Sequence, residues 1–249
     1  MFFGRDLYSP TIIFIFLFSF STVFLFFSLS KYNIFMNDIK AVIFDMDGVL
    51  LDSESLSDKT WEKAAEDFKI SLSTETLNKC RGRNKNDTIQ ILKDFYGSDF
   101  PSQQFLERTS ELFYQMEQNG LLHLMPYAKE CLEYLKSKYR LALASSTRKE
   151  SVYRQLKNLG LFSYFETLTT GDMVIHSKPE PEIYTIACKS INENPENCIA
   201  IEDSPNGIKS AFSAGLKTIM VPDRIKPTSE IEKLCWKIVP SLNKIKEIL

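Results

Sequence analysis

The chain has 249 residues, enough for one large domain or two small ones. Its formal charge of −2 carries no global basic field, so no nucleic-acid partner is expected. Only two histidines occur, His123 and His176, which supplies a His-based metal site or a Ser-His-Asp triad poorly and leaves acid–base work to carboxylates or lysine.

The N-terminal segment differs in kind from the rest. From Thr11 to Ser30 there is no charge, glycine or proline, and the run is about long enough to span a bilayer as a hydrophobic helix. Residues 1–35 are therefore read as a hydrophobic segment with a candidate membrane anchor at 11–30. A cleaved signal peptide fits less well, because no small-x-small site follows. The other reading is an over-extended start: Met36 opens MNDIKAVIFDMDGV, a natural beginning for a soluble domain. Translation from Met36 implies a cytoplasmic protein, and translation from Met1 a membrane-anchored one.

Beyond this segment, short apolar runs rich in β-branched residues predict buried strands at Lys40–Phe44, Leu141–Ala144, Tyr164–Thr169, Ile199–Ile201 and Thr218–Val221, with a marginal sixth at Ile238–Val239. Helical patterns separate them at Ala128–Lys138, Glu150–Leu159, Glu182–Ile191 and Pro205–Ala214. This alternation predicts an α/β fold with a Rossmann-like parallel sheet. Thr147 to Glu150 matches a capping box, and Gly160 and Gly215 fall where helix C-terminal glycines belong. From Ser53 to Leu124 the patterns are helical throughout: Asp58–Phe68, Thr74–Lys79, Asp87–Tyr96 and Ser102–Gln118. The expected organisation is a core of residues 36–52 and 125–249, with an inserted α-helical cap at 53–124.

Five cysteines, Cys80, Cys131, Cys188, Cys198 and Cys235, include no C-x-x-C pair. Neither a disulfide framework nor a zinc site is indicated, and Cys198 reads as core.

Four constellations carry chemistry. Asp45 and Asp47, followed by Gly48, stand at the end of the first strand. One carboxylate can attack phosphorus while the other serves as acid and base; a surface turn or a calcium loop is the plainer reading. Glu202 and Asp203 end another buried strand, where two acids repel unless a cation lies between them; the plainer reading is that Asp203 or Ser204 caps the helix that Pro205 starts. Lys178, set between loop prolines Pro179 and Pro181, can neutralise a nucleophile and phosphoryl oxygens, or be an ordinary solvated lysine. Ser145 and Ser146 precede a helix start, where a hydroxyl and backbone N–H groups can cradle phosphate or cap the helix.

In this order the four pieces resemble the haloacid dehalogenase superfamily: FDMDGVLLDSE, LALASST, SKPEPEIY and IEDSPNG look like its four motifs. The likeness covers roughly Ile39 to the C-terminus and is nearest to the branch with a helical cap after motif one, which includes β-phosphoglucomutase and sugar-phosphate phosphatases. It implies that Asp45 is the nucleophile, Asp47 the general acid and base, Lys178 the charge-balancing group and Ser145, with Ser146, the phosphoryl cradle. It also implies Mg2+ held by Asp45, the carbonyl of Asp47 and Asp203, with Glu202 supporting through water. Arg81 and Lys85, in Cys80-Arg-Gly-Arg-Asn-Lys85, would be cap contacts to substrate, or a solvated basic face. Three positions depart from the pattern: Ser57 stands where the mutases carry His, Tyr127 where the family often has Gly, and Ser177, before Lys178, where Gly is common. The expected activity is Mg2+-dependent hydrolysis of a phosphorylated sugar or similar small phosphate ester. A hexose-phosphate mutase is the alternative, and a non-catalytic membrane-anchored protein a more distant one.

Overall fold

Ala41, Val42, Ile43 and Phe44 are apolar in unbroken succession, the composition of a strand buried on two faces. In the structure, a computed structural model describing residues 39–81 and 85–249, they belong to the fully buried strand β1 (Ala41–Phe44). The strands that follow are β2 (Arg140–Ala144), β3 (Thr167–Thr169), β4 (Cys198–Glu202), β5 (Lys217–Met220) and β6 (Lys237–Ile238). They form one six-stranded sheet, ordered β3-β2-β1-β4-β5-β6, and every pair is parallel. Val42 lies opposite Leu141 on one side and Ile199 on the other, so the three central strands end nearly level. The chain runs from β1 out to β3 and then returns to the other flank of β1. That reversal places a topological switch point, where such sheets bind ligands, between the carboxyl ends of β1 and β4.

The helices are α1 (Ser53–Asp67), α2 (Thr74–Cys80), α3 (Lys85–Tyr96), α4 (Ser102–Gln118), α5 (Ala128–Lys136), α6 (Lys149–Asn158), α7 (Glu182–Ser190), α8 (Pro205–Ser213) and α9 (Ser229–Leu234). Tyr184, Ala187 and Cys188 of α7 and Ala211 of α8 are buried in one cluster with Ile43, Ala142 and Ala200 of the sheet. Helices α1 to α4 follow β1 and build a second core around the fully buried Phe105, against which Trp61 and Phe68 pack edge-on with ring centroids 5.3 and 5.4 Å away. Two short crossovers join this insertion to the sheet and pair with each other. Asp52 N donates to His123 O at 2.9 Å, and Met125 N donates to Leu50 O at 2.8 Å.

Several expected boundaries move. Helix α1 begins at Ser53 and not Asp58, because the Asp52 carboxylate accepts from Ser55 N and caps it there. The expected strand Tyr164–Thr169 is split: Phe162–Tyr164 form a 3₁₀ turn, and only Thr167–Thr169 pair with β2. Tyr127, in the position that favours Gly, has φ +66°, the left-handed region. Gly160 and Gly215 follow α6 and α8 at φ +72° and +90°, as expected of helix ends. All five cysteines are free, and Cys198 is wholly buried. The apolar run 11–30 and Met36 lie outside the described residues. Among the described residues no helix is long and apolar enough to cross a membrane.

Candidate active site

Asp45 follows β1 directly, and its N–H still donates to Ile201 O at 3.0 Å and so continues the ladder to β4. The chain then turns tightly: Leu50 N and Leu51 N both donate to Met46 O. Gly48 makes the turn possible, with φ +76°; a Cβ there would lie 2.5 Å from Asp203 Oδ2. The backbone beyond Asp45 therefore lies directly against the carboxylate that follows β4.

Lys178 links the strand ends. Its Nζ donates to Asp45 Oδ1 at 2.6 Å, to Glu202 Oε1 at 2.7 Å and to Ala144 O, at the end of β2, at 3.2 Å. The side chains of Lys178 and Asp45 are each 9% exposed, and that of Glu202 1%. Burial pulls the Lys178 ammonium toward neutrality, but the carboxylates of Asp45 and Glu202 outweigh it and hold its pKa well above the usual value.

Glu202 is saturated. Besides Lys178, its Oε1 accepts from the buried Tyr184 hydroxyl at 3.1 Å, and Oε2 accepts from Asp203 N, Ser204 N and Ser204 Oγ. Burial alone would raise its pKa; the charge and hydrogen bond of Lys178, then the Ser204 donors, reverse this and hold it below the usual carboxylate range. Ser204 also caps α8 by accepting from Gly207 N, so the capping role considered for Asp203 or Ser204 falls to Ser204.

Asp45 and Asp203 are under-compensated by comparison. Burial, opposed by Lys178 and reinforced by the charges of Glu202 and Asp47, pushes the Asp45 carboxyl up to about 8. Burial with the charges of Glu202 and Asp45 pushes Asp203 well above the carboxylate range. Oxygens of Asp45, Glu202 and Asp203 lie within 4.8 Å of one another, and Lys178 gives none of its hydrogen bonds to Asp203. Crowded oxygen donors short of positive charge, with Gly48 leaving backbone room beside Asp203, suit a hard divalent cation.

Asp47 is oriented from β2's loop: Thr147 Oγ1 donates to Asp47 Oδ2 at 2.8 Å. This corrects the expected capping box. Helix α6 starts at Lys149, whose N–H donates to Asp172 Oδ1 and not to Thr147, because Thr147 N donates to Ser145 Oγ and its hydroxyl is turned to Asp47. Ser145 is wholly buried at the end of β2, whereas Ser146 is exposed and lines a cavity of about 830 Å³ together with Lys178. Arg81 also lines that cavity, but its guanidinium donates to Asp58 Oδ1 at 2.5 Å and to Asn78. Lys85 is exposed and lines a neighbouring cavity of about 1070 Å³ with Arg81 and Ser57. The structure thus gathers Asp45, Lys178, Glu202 and Asp203 into one cluster and sets Asp47 and Ser145 beside it, while Arg81 and Lys85 stand on the insertion. Thr147 and Tyr184 were not expected at the site. The sequence signal for Thr147 was present, since it lies two residues after Ser145 in the same loop; Tyr184 carried none beyond a helical apolar face.

A family model described as haloacid dehalogenase-like hydrolase matches residues 42–221. The chain belongs to the haloacid dehalogenase-like hydrolases. It is 34% identical over 182 residues to a phosphorylated carbohydrates phosphatase of Thermotoga maritima, covering 73% of this chain and 84% of that protein. Against a β-phosphoglucomutase of Bacillus subtilis it is 28% identical over 190 residues, covering 74% and 83% of the two chains. A crystal structure of a candidate β-phosphoglucomutase from Thermotoga maritima superposes with a TM-score of 0.71 at 31% identity, covering 85% of this chain and all of that one. With phosphatases among these relatives, this hydrolase falls in the phosphoric monoester hydrolase class.

The ion cluster predicts a stability phenotype. Lys178→Met strands two buried carboxylates, and we expect a loss of about 3 kcal/mol in urea unfolding of the metal-free protein. The loss should be smaller at pH 5 than at pH 8, because the orphaned carboxylates can then take up protons. An equal loss at both values would show that Lys178 does not compensate Asp45 and Glu202.

Proposed function

We propose that this enzyme is a Mg2+-dependent phosphatase of a phosphorylated sugar or similar small metabolite, acting through an aspartyl-phosphate on Asp45. The observation that carries this reading is the buried Lys178 bonded to Asp45 at 2.6 Å, beside the uncompensated Asp203, at the switch point of the sheet. An Asp carboxylate bonded to a fixed ammonium is aimed, and the ammonium can follow the charge that develops on the phosphoryl oxygens.

In the first step an Asp45 oxygen attacks phosphorus as the bond to the leaving oxygen breaks, and Asp47 gives that oxygen its proton. In the second, Asp47 takes a proton from water as the water oxygen attacks phosphorus, which releases phosphate and restores Asp45. Thr147 holds Asp47 in one rotamer between the two tasks. Ser145, Ser146 and the N–H groups of their loop receive the phosphoryl oxygens. Asp45, the carbonyl of Asp47 and Asp203 would hold the metal; with five donors on its oxygens, Glu202 serves by fixing Lys178 and the backbone of residues 203 and 204. Bound there, Mg2+ supplies positive charge to the phosphoryl oxygens and to the paired carboxylates.

We assign residues 53–124 as a cap over a core of residues 36–52 and 125–249. The paired crossovers at Leu50–Asp52 and His123–Met125 support this division, because both chain connections between the parts run through them. Closure of such a cap excludes water and completes the site. Arg81 and Lys85 are its candidate substrate contacts, Arg81 after release from Asp58. Ser57 favours hydrolysis over transfer: it lines both cavities that flank α1 and offers no imidazole to relay a proton between sugar oxygens.

With β-glucose 1-phosphate and Mg2+, we expect released phosphate to exceed any isomeric hexose phosphate; an excess of isomer would make the chain a mutase. Asp45→Asn should cut turnover of p-nitrophenyl phosphate by about a thousandfold or more with the fold retained.

Metal binding should be linked to pH. An unfolded Asp titrates near 3.8 and folded, metal-free Asp45 near 8, so between these values the folded state holds the extra proton. This group's contribution to stability therefore falls as pH rises toward 8. Mg2+ competes with that proton, so the Tm gain on adding Mg2+ should be larger at pH 8 than at pH 5. A gain independent of pH would place the ion elsewhere.

A further inference from the structure

Away from the Asp45 cluster, a second buried acid joins the insertion to the core. Glu117, near the end of α4, has a side chain 2% exposed. It accepts from Arg154 Nε at 2.6 Å, from Arg154 Nη2 at 2.9 Å and from Gln155 Nε2 at 3.1 Å, all on α6. Because the guanidinium is planar, a carboxylate on its Nε–Nη2 edge leaves the Nη1 donors facing away from Glu117. The guanidinium also lies over the Tyr114 ring, 5.0 Å from its centroid. Arg154 is thus fixed on two sides with donors to spare.

Arg154 also borders the cleft that reaches Asp47. Arg154, Gln155, Ser53, Trp61 and Tyr114 line one cavity of about 610 Å³ with Asp47 and Thr147. Two of these lining residues carry an oxygen, Gln155 Oε1 and Ser53 Oγ, that is buried without a hydrogen-bond partner among the described residues. The Gln155 amide cannot be turned to cure this, since only its NH2 group can face the Glu117 carboxylate. Buried oxygens without partners are costly, and their position beside Asp47 points to a ligand group that supplies donors.

We propose that Arg154, Gln155 and Ser53 form a hydroxyl-reading subsite for the leaving group, with Glu117 as the positioning residue. The inference rests on the phosphatase reading above and narrows its substrate to the monoester of a polyhydroxylated compound, a sugar or a sugar alcohol. A hydroxyl accepts from Arg154 and donates to Gln155 or Ser53, matching both kinds of group. A second phosphate is a poorer fit here: its oxygens are acceptors, and Arg154's charge is already balanced by Glu117. Trp61 and Tyr114 supply apolar faces for the carbon-bound hydrogens of such a substrate.

The test uses the full chain with Mg2+, p-nitrophenyl phosphate and a panel of aldose and alditol monophosphates. The wild type should favour a panel member. R154M should lower kcat/KM for that member by roughly tenfold, mainly through KM, while p-nitrophenyl phosphate, which has no hydroxyls, stays within about twofold. R154K should recover part of the loss. If R154M fails to fold by circular dichroism, the same ratio for R154K decides. Equal losses on both substrates would mean that Arg154 only fastens α6 to α4, and the subsite would be refuted. A wild type active on p-nitrophenyl phosphate that favours no panel member would also overturn the subsite and leave the phosphatase reading standing. A wild type inactive on every ester would sink the phosphatase reading and the subsite with it.

Discussion

A single ammonium group, Lys178 Nζ, holds three strand ends together. It reaches Asp45 after β1, Glu202 at the end of β4 and the carbonyl of Ala144 at the end of β2, all within 3.2 Å. Three parallel strands bring backbone acceptors and acids to one edge, and an unpaired charge there would be costly to bury. Lys178 meets part of that demand, and Tyr184 and the Ser204 donors meet the share belonging to Glu202. Asp203 and part of Asp45 are left over, and this shortfall of positive charge suits the edge to a divalent cation. Structure and function draw on the same imbalance: complete neutralisation by protein groups would leave no driving force to bind a cation.

The insertion adds a second constraint. Its own core around Phe105 lets it hold its shape apart from the sheet, while Glu117, Arg154 and Gln155 tie its last helix to α6. The cleft between the two therefore has charged, fixed walls near Asp47 and apolar ones at Trp61. Under the subsite proposed above, selection of the leaving group falls to this wall.

Much of this was legible in the sequence where one local pattern sufficed. Strands β1 and β4 read plainly, because AVIF and CIAIE are apolar on both faces, and each ends in acids at the switch point. Strand β3 was overextended because Tyr164 and Phe165 look like strand residues, yet the chain closes a 3₁₀ turn before pairing. Thr147 matched a capping template, and only the position of Asp47, a hundred residues earlier, explains where its hydroxyl goes. From the residues alone Glu202 and Asp203 read as a pair of acids, and only the family resemblance gave them different roles; strand geometry separates them, turning one to Lys178 and leaving the other without it. Glu117 and Arg154 gave no signal, since their pairing depends on how α4 meets α6.

The most direct measurement is capture of the acyl-phosphate. Enzyme mixed with a sugar monophosphate and Mg2+, quenched in acid and reduced with borohydride, converts a phosphorylated Asp to homoserine, which peptide mass spectrometry can locate. Homoserine at position 45, and its absence from Asp45→Asn protein, is the result expected. Turnover without modification at position 45, or with the modification at Asp47 or Asp203, would contradict the assignment of Asp45 as nucleophile.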